Sequence, residues 1–361
     1  MLRFRSELNQ LAHEASLEHP TGAIAKVATS PHDSTMVLTT AEHSNNATLW
    51  KIPGEILEQT SSHLGYGDDD DDYPLAQSAM LEERATLSSM NPDDEDNSLI
   101  VDIQWRGAAG EDDHASPNGD VLTLDVSGRL TQWDVAFGAA ESTRHIMADV
   151  SQSSWSLPPR MAWDPHNADA TAVAAGTAVQ LVDWRADTSV PAGTVQRFTC
   201  HRYGVMDLDY NPNKPHVLTT AGQEGLIKFW DLRSAKQPLL TVRGGHRHWA
   251  TQVTYNPFHD QLVVSAGTDS VVNLWRISTI SSSPLFTLED EDDNPLVGDN
   301  EVATGASDEG PNVRVSRLEH MDSVYATAWG AADAWIYASA GYDGKVVLNH
   351  VPSKEKYKIL L

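Results

Sequence analysis

Residues 246–275 read HRHWATQVTYNPFHDQLVVSAGTDSVVNLW, and the internal spacing of this stretch recurs on both sides of it. Its first histidine stands 23 residues before an aspartate, which in turn stands six residues before the closing tryptophan. Two further sets keep both spacings: His201, Glu224 and Trp230, and His320, Asp343 and Asn349, where asparagine replaces the tryptophan. Two spacings that coincide in three segments indicate an internal repeat.

Between these markers the sequence alternates short apolar runs with turn residues. The run LIKFW at 226–230 matches VVNLW at 271–275, and VLTTAG at 217–222 matches VVSAG at 263–267. Each run is rich in β-branched or aromatic residues and is bounded by Gly, Pro, Asn or Asp. Runs of this kind predict short strands separated by turns.

Weaker copies of the repeat extend toward the N-terminus. The closing positions are 50, 133, 182, 230, 275 and 349, with separations of 83, 49, 48, 45 and 74 residues. The short separations are close to the ~40–45 residues of a WD40 repeat, and the long ones equal one repeat plus an insertion. The sequence therefore predicts an all-β fold, a WD40-type β-propeller with six recognisable blades.

The formal net charge of −26 is concentrated in the same two insertions. Residues 54–98 hold thirteen acidic residues against one basic residue, and residues 286–310 hold nine against none. Such segments bury too little apolar surface to offset the entropy of ordering. We predict disordered insertions at about 54–97 and 286–312, within a propeller spanning 22–361. The alternative is that the second insertion attracts a basic partner surface, with these candidate interaction residues: Glu289, Asp290, Glu291, Asp292 and Asp293.

Composition excludes several classes of function. An acidic chain repels the phosphate backbone, so we expect no nucleic-acid partner. Cys200 is the single cysteine, which excludes an internal disulfide and a cysteine-based zinc site. We expect no cofactor, no metal, no secretory signal and no spanning segment, and therefore a cytoplasmic protein that reaches membranes through its partners.

The repeated polar residues have a structural interpretation. In the WD40 motif a His, a Ser or Thr, an Asp and a Trp are linked by hydrogen bonds, because a buried indole N–H needs an acceptor. The predicted sets are His246, Ser265, Asp269 and Trp275; His201, Thr220, Glu224 and Trp230; and His320, Ser339 and Asp343 without a tryptophan. In the repeat that closes at Val182, Gly176 and Val182 occupy the Asp and Trp positions, so we expect this network to be lost there.

Two catalytic alternatives use the same residues. His, Asp and Ser suggest a catalytic triad, but a triad occurs once in a protein, whereas this set recurs in each repeat. His246 and His248 suggest a metal site, but the spacing places no third ligand. We therefore predict scaffolding rather than catalysis, and a protein that is not an enzyme.

The chain also resembles a known family through stretches that the generic repeat does not require. These are DLDYNPNK at 207–214, HDQL at 259–262, EHMDSVYA at 319–326, YDGK at 342–345 and the ending KYKILL at 356–361. On these stretches the chain resembles the EARP- and GARP-complex-interacting proteins. The resemblance implies a β-propeller that binds endosome-associated recycling and Golgi-associated retrograde tethering complexes. It further implies roles in endosomal recycling, retrograde transport to the trans-Golgi network and dense-core vesicle cargo sorting.

The resemblance also implies a seventh blade at the N-terminus. Only about twenty residues precede the first repeat, so residues 1–21 are expected to be the remnant of a missing or incomplete blade. The apolar end, residues 357–361, is expected to pair with that blade.

A competing hypothesis is a substrate receptor of a cullin-RING ubiquitin ligase, which would add a ligase adaptor to the partners. Trp230-Asp231-Leu232-Arg233 matches the WDxR box of such receptors, and Asp183 and Arg185 match part of it. The simpler interpretation is that each arginine pairs locally with its aspartate at the end of a blade.

Overall fold

The computed structural model describes residues 2–5, 10–13, 15–20, 22–56, 77–88, 99–106, 120–135, 140–151, 153, 157–185, 194–284, 301–302 and 311–360. They fall into two compact units, Met1–Ile146 and Met147–Leu361. Nearly all regular structure in these residues is β-strand.

The first unit contains four short strands and two four-stranded sheets. The short strands are β1 (Leu2–Arg5), antiparallel to β2 (Gln10–His13), and β3 (Ala15–Glu18), parallel to β7 (Gln77–Met80). Blade 1 has the order β4-β5-β6-β8, from β4 (Ile24–Thr29), β5 (Met36–Ala41), β6 (Asn46–Lys51) and β8 (Glu82–Ser88). Blade 2 has the order β9-β10-β11-β12, from β9 (Ile100–Trp105), β10 (Asp120–Asp125), β11 (Arg129–Asp134) and β12 (Glu141–Met147).

The second unit contains four further sheets. Blade 3 comprises β13 (Arg160–Trp163), β14 (Ala170–Ala175), β15 (Ala178–Asp183) and β16 (Thr194–Thr199). Blade 4 comprises β17 (Val205–Tyr210), β18 (Val217–Gly222), β19 (Ile227–Asp231) and β20 (Leu240–Val242), with β24 (Glu301–Val302) added in parallel. Blade 5 comprises β21 (Ala250–Tyr255), β22 (Leu262–Gly267), β23 (Val271–Ile277) and β25 (Asn312–Glu319). Blade 6 comprises three strands among the described residues, β26 (Val324–Trp329), β27 (Ile336–Gly341) and β28 (Val346–His350).

Neighbouring blades of the second unit pack through their faces. The rings of Phe229 in blade 4 and Tyr255 in blade 5 lie with centroids 6.1 Å apart. The backbone N–H of Tyr255 also donates to the Asp209 carboxylate of blade 4 at 2.8 Å. A sheet of this size cannot bury both faces alone, so its apolar faces are covered by the next blade. The predicted class, an all-β propeller with six blades, is confirmed.

The predicted insertions contain strands that their composition did not indicate. Residues 77–88 lie inside the segment expected to be disordered, yet they include β7 and β8, and β8 completes blade 1. Leu87 of β8 is fully buried, whereas Glu82, Glu83 and Arg84 are exposed. The acidic residues therefore belong to the solvent side of an outer strand. In the second segment the pair 301–302 forms β24, which lies beside β20.

The C-terminal end also differs from expectation. Residues predicted to pair with another blade form instead the helix α1 (Ser353–Leu360). The preceding Pro352 supplies the carbonyl that accepts hydrogen bonds from the N–H groups of Glu355 and Lys356. The buried Glu355 and the partly buried Ile359 are four residues apart, which is a helical rather than a strand spacing. Their burial on one face fixes this segment as a helix.

Candidate functional site

The predicted polar set of blade 5 is brought together as a hydrogen-bonded tetrad. Trp275 Nε1 donates to Ser265 Oγ at 2.9 Å, and His246 Nε2 lies 2.8 Å from the same hydroxyl. His246 Nδ1 lies 3.1 Å from Asp269 Oδ1. Burial alone would raise the pKa of Asp269, but the hydrogen bonds from His246 and the Arg247 backbone N–H outweigh it, and this pKa is lowered.

A glycine makes room for each histidine ring. A side chain on Gly267 would place its Cβ 2.5 Å from His246 Nδ1, and one on Gly222 would lie 2.1 Å from His201 Nδ1. Both contacts are shorter than two such atoms can approach. The glycine that ends the second strand is therefore needed for the tetrad to close.

Blades 4 and 6 carry variants of this arrangement. In blade 4, Trp230 Nε1 donates to Thr220 Oγ1 at 2.9 Å, and His201 Nδ1 lies 2.8 Å from Glu224 Oε1. Burial lowers the pKa of His201, which favours the neutral form of the ring. His201 Nε2 lies 2.9 Å from Thr220 Oγ1.

In blade 6 the set is present without its indole. His320 lies 2.9 Å from Ser339 Oγ and 3.4 Å from Asp343 Oδ1. Asn349 replaces the tryptophan, and its buried Nδ2 has no hydrogen-bond partner among the described residues. The substitution leaves the serine with one ring partner instead of two.

Three members of this pattern were missed by sequence reasoning. In blade 2, Trp133 Nε1 donates to Thr123 Oγ1 at 2.9 Å. In blade 1, His19 Nε2 and Trp50 Nε1 both lie 2.8 Å from Thr39 Oγ1. In blade 3, Trp184 Nε1 donates to Thr171 Oγ1 at 2.9 Å. The expectation that blade 3 loses its network is therefore wrong for the indole bond, because Trp184, beyond Val182, reaches the threonine. The signal for His19 was available, since it precedes Thr39 by 20 residues and the other histidines precede their hydroxyls by 19.

The polar groups of the tetrads are bonded to each other and are not available to bind a substrate. Both ring nitrogens of His246 have protein partners, and His248 contacts Thr268 and stacks on Trp249. Within the described residues, no group of three or more His, Cys, Asp or Glu is placed to hold a metal ion. Cys200 is buried, and burial raises the pKa of its thiol to about 12. A thiol with such a pKa is a poor nucleophile at neutral pH.

In each of the two Asp–Arg pairs predicted as interaction residues, the arginine binds its own aspartate. The Arg233 guanidinium donates through Nε and Nη2 to both oxygens of Asp231, at 2.9 and 2.7 Å. Arg185 binds Asp183 in the same way, at 3.0 and 2.8 Å. Arg233 is 68% exposed, but its hydrogen bond lowers the pKa of Asp231 and its charge is neutralised locally. This geometry does not favour the ligase-receptor hypothesis. The remaining candidates, Glu289 to Asp293, lie outside the described residues.

A different surface stands out at the end of the blades where the tetrad histidines lie. Large side chains follow each histidine within three residues, and two tyrosines of blade 6 lie beside them. We call this set the tetrad-end surface: Tyr203, Met321, Tyr325 and Tyr342, which are exposed, and Trp249, which is partly buried. Met321 is 82% exposed and Tyr342 73% exposed. The Tyr325 and Tyr342 rings lie 4.9 Å apart. Exposed large side chains of this kind on blades 4 and 6, with the partly buried Trp249 of blade 5, are typical of a binding surface.

Cationic groups and a cavity accompany the aromatic rings. The Arg202 guanidinium lies 5.2 Å from the Tyr203 ring centroid, and Arg247 is exposed beside Trp249. A cavity of about 520 Å³ opens between these loops. It is lined by Tyr203, Gln223, Glu224, Arg247, His248 and Trp249. The combination of Trp, Tyr and Arg is typical of the residues that dominate protein–protein binding energy.

The blades and the tetrads define the class: a WD40-type β-propeller. Residues 130–275 match the family model described as EIPR1 beta-propeller. The chain is 30% identical to the human EARP and GARP complex-interacting protein 1, over 98% of this chain and 87% of the relative. It is 33% identical to EARP-interacting protein 1 of Caenorhabditis elegans, over 55% of this chain and 52% of the relative. The chain belongs to the EARP and GARP complex-interacting protein family, as its motifs predicted.

Proposed function

We propose that this chain is a non-enzymatic interaction protein that binds the EARP and GARP tethering complexes through its tetrad-end surface. The observation that carries the proposal is the similarity, over nearly the whole chain, to relatives whose names state an interaction with these complexes. Through them the chain supports endosomal recycling, retrograde transport to the trans-Golgi network and dense-core vesicle cargo sorting.

The composition of the tetrad-end surface supports its role as the contact. Protein interfaces are enriched in aromatic residues, Met and Arg, and a few such side chains carry most of the binding energy. Behind Trp249, the tetrad of His246 and Asp269 holds the loop through the Arg247 N–H, which donates to Asp269 at 2.8 Å. A loop fixed in this way loses little conformational entropy when a partner binds.

We propose that the tethering complexes recruit this protein to membranes. In the described part of the chain, no helix is long and apolar enough to cross a bilayer. We infer a cytoplasmic protein that is peripherally recruited to endosomes and the trans-Golgi network through the tethering complexes.

The proposal is tested by quantitative affinity purification of the tagged full-length chain. The wild type is expected to recover subunits of both complexes, and Tyr203→Ala combined with Trp249→Ala to recover at least tenfold less. Arg233→Ala, whose side chain is exposed but paired within its own blade, is the matched control and should recover wild-type amounts.

Two results would count against different parts of the proposal. Failure of the wild type to recover either complex would overturn the function. Wild-type recovery by a folded Tyr203→Ala and Trp249→Ala variant would leave the function standing and remove the tetrad-end surface as its site.

A further inference from the structure

The inner face of the C-terminal helix α1 is fixed to the second unit by a buried ion pair. Glu355 Oε2 lies 3.1 Å from Nη1 of Arg276 in blade 5, and both side chains are almost fully buried. Lys358 Nζ donates to the other Glu355 oxygen at 3.2 Å. Ile359 packs on the apolar cluster that contains Tyr337 and Val351. The helix is therefore a rigid part of the unit.

The outer face of α1 is exposed and largely apolar. Tyr357 is 66% exposed and Leu360 63% exposed, and Lys354 precedes them on the same side. These residues are three positions apart, so they form one stripe along the two turns of the helix. The two large side chains lie next to each other on a helix with four charged residues, so they form a small apolar patch rather than isolated exposed residues.

The stripe continues onto blades 5 and 6 through the partly buried Trp335. The Lys356 ammonium lies 5.6 Å from the centroid of the Trp335 ring, which stacks on His259 with centroids 4.6 Å apart. Phe258, next to His259, is also exposed. Trp335 lies in the turn between β26 and β27, whereas the tetrad residue Asp343 lies in the turn between β27 and β28. This α1 surface, Phe258, Trp335, Tyr357, Leu360 and the α1 lysines, is therefore at the strand ends opposite the tetrad-end surface.

The charge of α1 indicates what covers it. The helix contains three lysines and one glutamate, in a chain whose net charge is −26. The carboxylate of its one glutamate, Glu355, forms ion pairs with Arg276 and Lys358. A basic, aromatic stripe on an acidic protein is complementary to an apolar surface flanked by carboxylates.

From this placement we infer that the α1 surface binds an acidic amphipathic helix of a partner protein. A straight stripe of residues three apart is the ridge that packs into the groove of a second helix, with apolar anchors at i, i+3, i+4 and i+7 of the partner. A membrane surface fits less well, because interfacial helices insert a longer apolar face and α1 exposes two apolar side chains beside its lysines.

The test uses the full-length chain and a synthetic helical peptide as the probe. The peptide carries Leu at i, i+3, i+4 and i+7 and Glu at its other positions, and binding is measured by fluorescence anisotropy. Tyr357→Ser combined with Leu360→Ser should weaken binding at least tenfold. Lys354→Glu should weaken it severalfold, and added salt should weaken binding to the wild type. Tyr203→Ala and Trp249→Ala, at the opposite strand ends, should leave it unchanged.

The outcomes that would overturn the inference are specific. One is equal affinity for a matched peptide with Lys in place of Glu, and another is no binding of the acidic peptide to the wild type. Tighter retention by phosphatidylserine vesicles than by the peptide would assign the surface to membranes. A dimer of the wild type that is lost in the serine variant would assign it to a second copy. Because the peptide measurement needs neither tethering complex, its failure is distinct from failure of the proposed function.

Discussion

Arg276 of blade 5 and Glu355 of the C-terminal helix form a buried ion pair, with Nη1 and Oε2 3.1 Å apart. The sequence pattern does not predict that these two residues are in contact. Arg276 lies near the end of β23, and Glu355 lies in the helix that follows the last strand. Removing one member takes its buried ion-pair partner away from the second charge, which costs more than losing an exposed pair.

We therefore expect Glu355→Ala to lower the free energy of unfolding by about 3 kcal/mol. The matched variant Arg276→Met with Glu355→Leu removes both charges and should recover most of this loss. Urea denaturation of the full-length chain measures both. If the single variant is as stable as the wild type, the helix is not held by this pair.

The tetrads predict a graded response to losing one hydroxyl. Ser265→Ala strands two buried groups, the Trp275 indole and the His246 ring, and should cost about 3 kcal/mol. Ser339→Ala strands only His320, because Asn349 stands in the tryptophan position, and should cost about half as much. Denaturation midpoints of the two variants test this order, and equal losses would contradict the proposed scaffolding role of the indole.

Blade 3 allows a test of the Trp184–Thr171 hydrogen bond, which its sequence pattern did not predict. Thr171→Val keeps the volume of the side chain but removes the acceptor for the Trp184 indole. An unpaired buried N–H costs about 1–3 kcal/mol, so the unfolding free energy should fall by that amount. Trp184→Phe in the Thr171→Val background should then cost less than in the wild type, and additive effects would argue against the bond.

The Asp209 carboxylate predicts a pH dependence. Burial, with Asp207 nearby, raises its pKa to about 7 despite the hydrogen bond from the Tyr255 N–H. The folded chain keeps this proton up to about pH 7, whereas the unfolded chain loses it near pH 4, so the contribution to stability falls as pH rises between these values.

Asp209→Asn removes this titration and retains an acceptor for the Tyr255 N–H. Relative to the wild type, the variant should gain about 2.7 kcal/mol of stability between pH 5 and pH 8, because the folded-state pKa of about 7 lies about two units above pH 5 and one unit equals about 1.36 kcal/mol. Unfolding curves at the two pH values measure the difference. A stability difference that does not change with pH would show that Asp209 titrates normally.

For Arg233, in contrast to the buried Arg276, we expect no loss of stability on substitution. Its guanidinium pairs with Asp231 in water, and such exposed pairs contribute little to stability. Arg233→Ala should leave the unfolding midpoint unchanged within measurement error and should not reduce recovery of the tethering complexes. Selective loss of the complexes in this folded variant would instead place the contact at the Asp–Arg end of blade 4.

Much of the fold followed from local patterns. The strands of blades 4 and 5 and their polar sets were predictable because His201, His246 and their partners repeat at fixed spacings within one sheet. The candidate binding site was less predictable. Tyr203 and Trp249 follow the tetrad histidines in the sequence, but nothing in the pattern predicts that Tyr203 is exposed and Trp249 partly buried.

The sequence by itself determined the repeat, the class of fold, the family and the acidic segments, since these depend on residue type and spacing along the chain. Only the tertiary structure decided that β8 is a strand, that Trp184 reaches Thr171, and that α1 docks through Glu355 on Arg276. The physical reason is that strand periodicity fixes contacts within a hairpin. The partner of an open sheet edge, of a buried hydroxyl or of a buried charge is not fixed in this way. It depends on surfaces that meet only after the blades have packed.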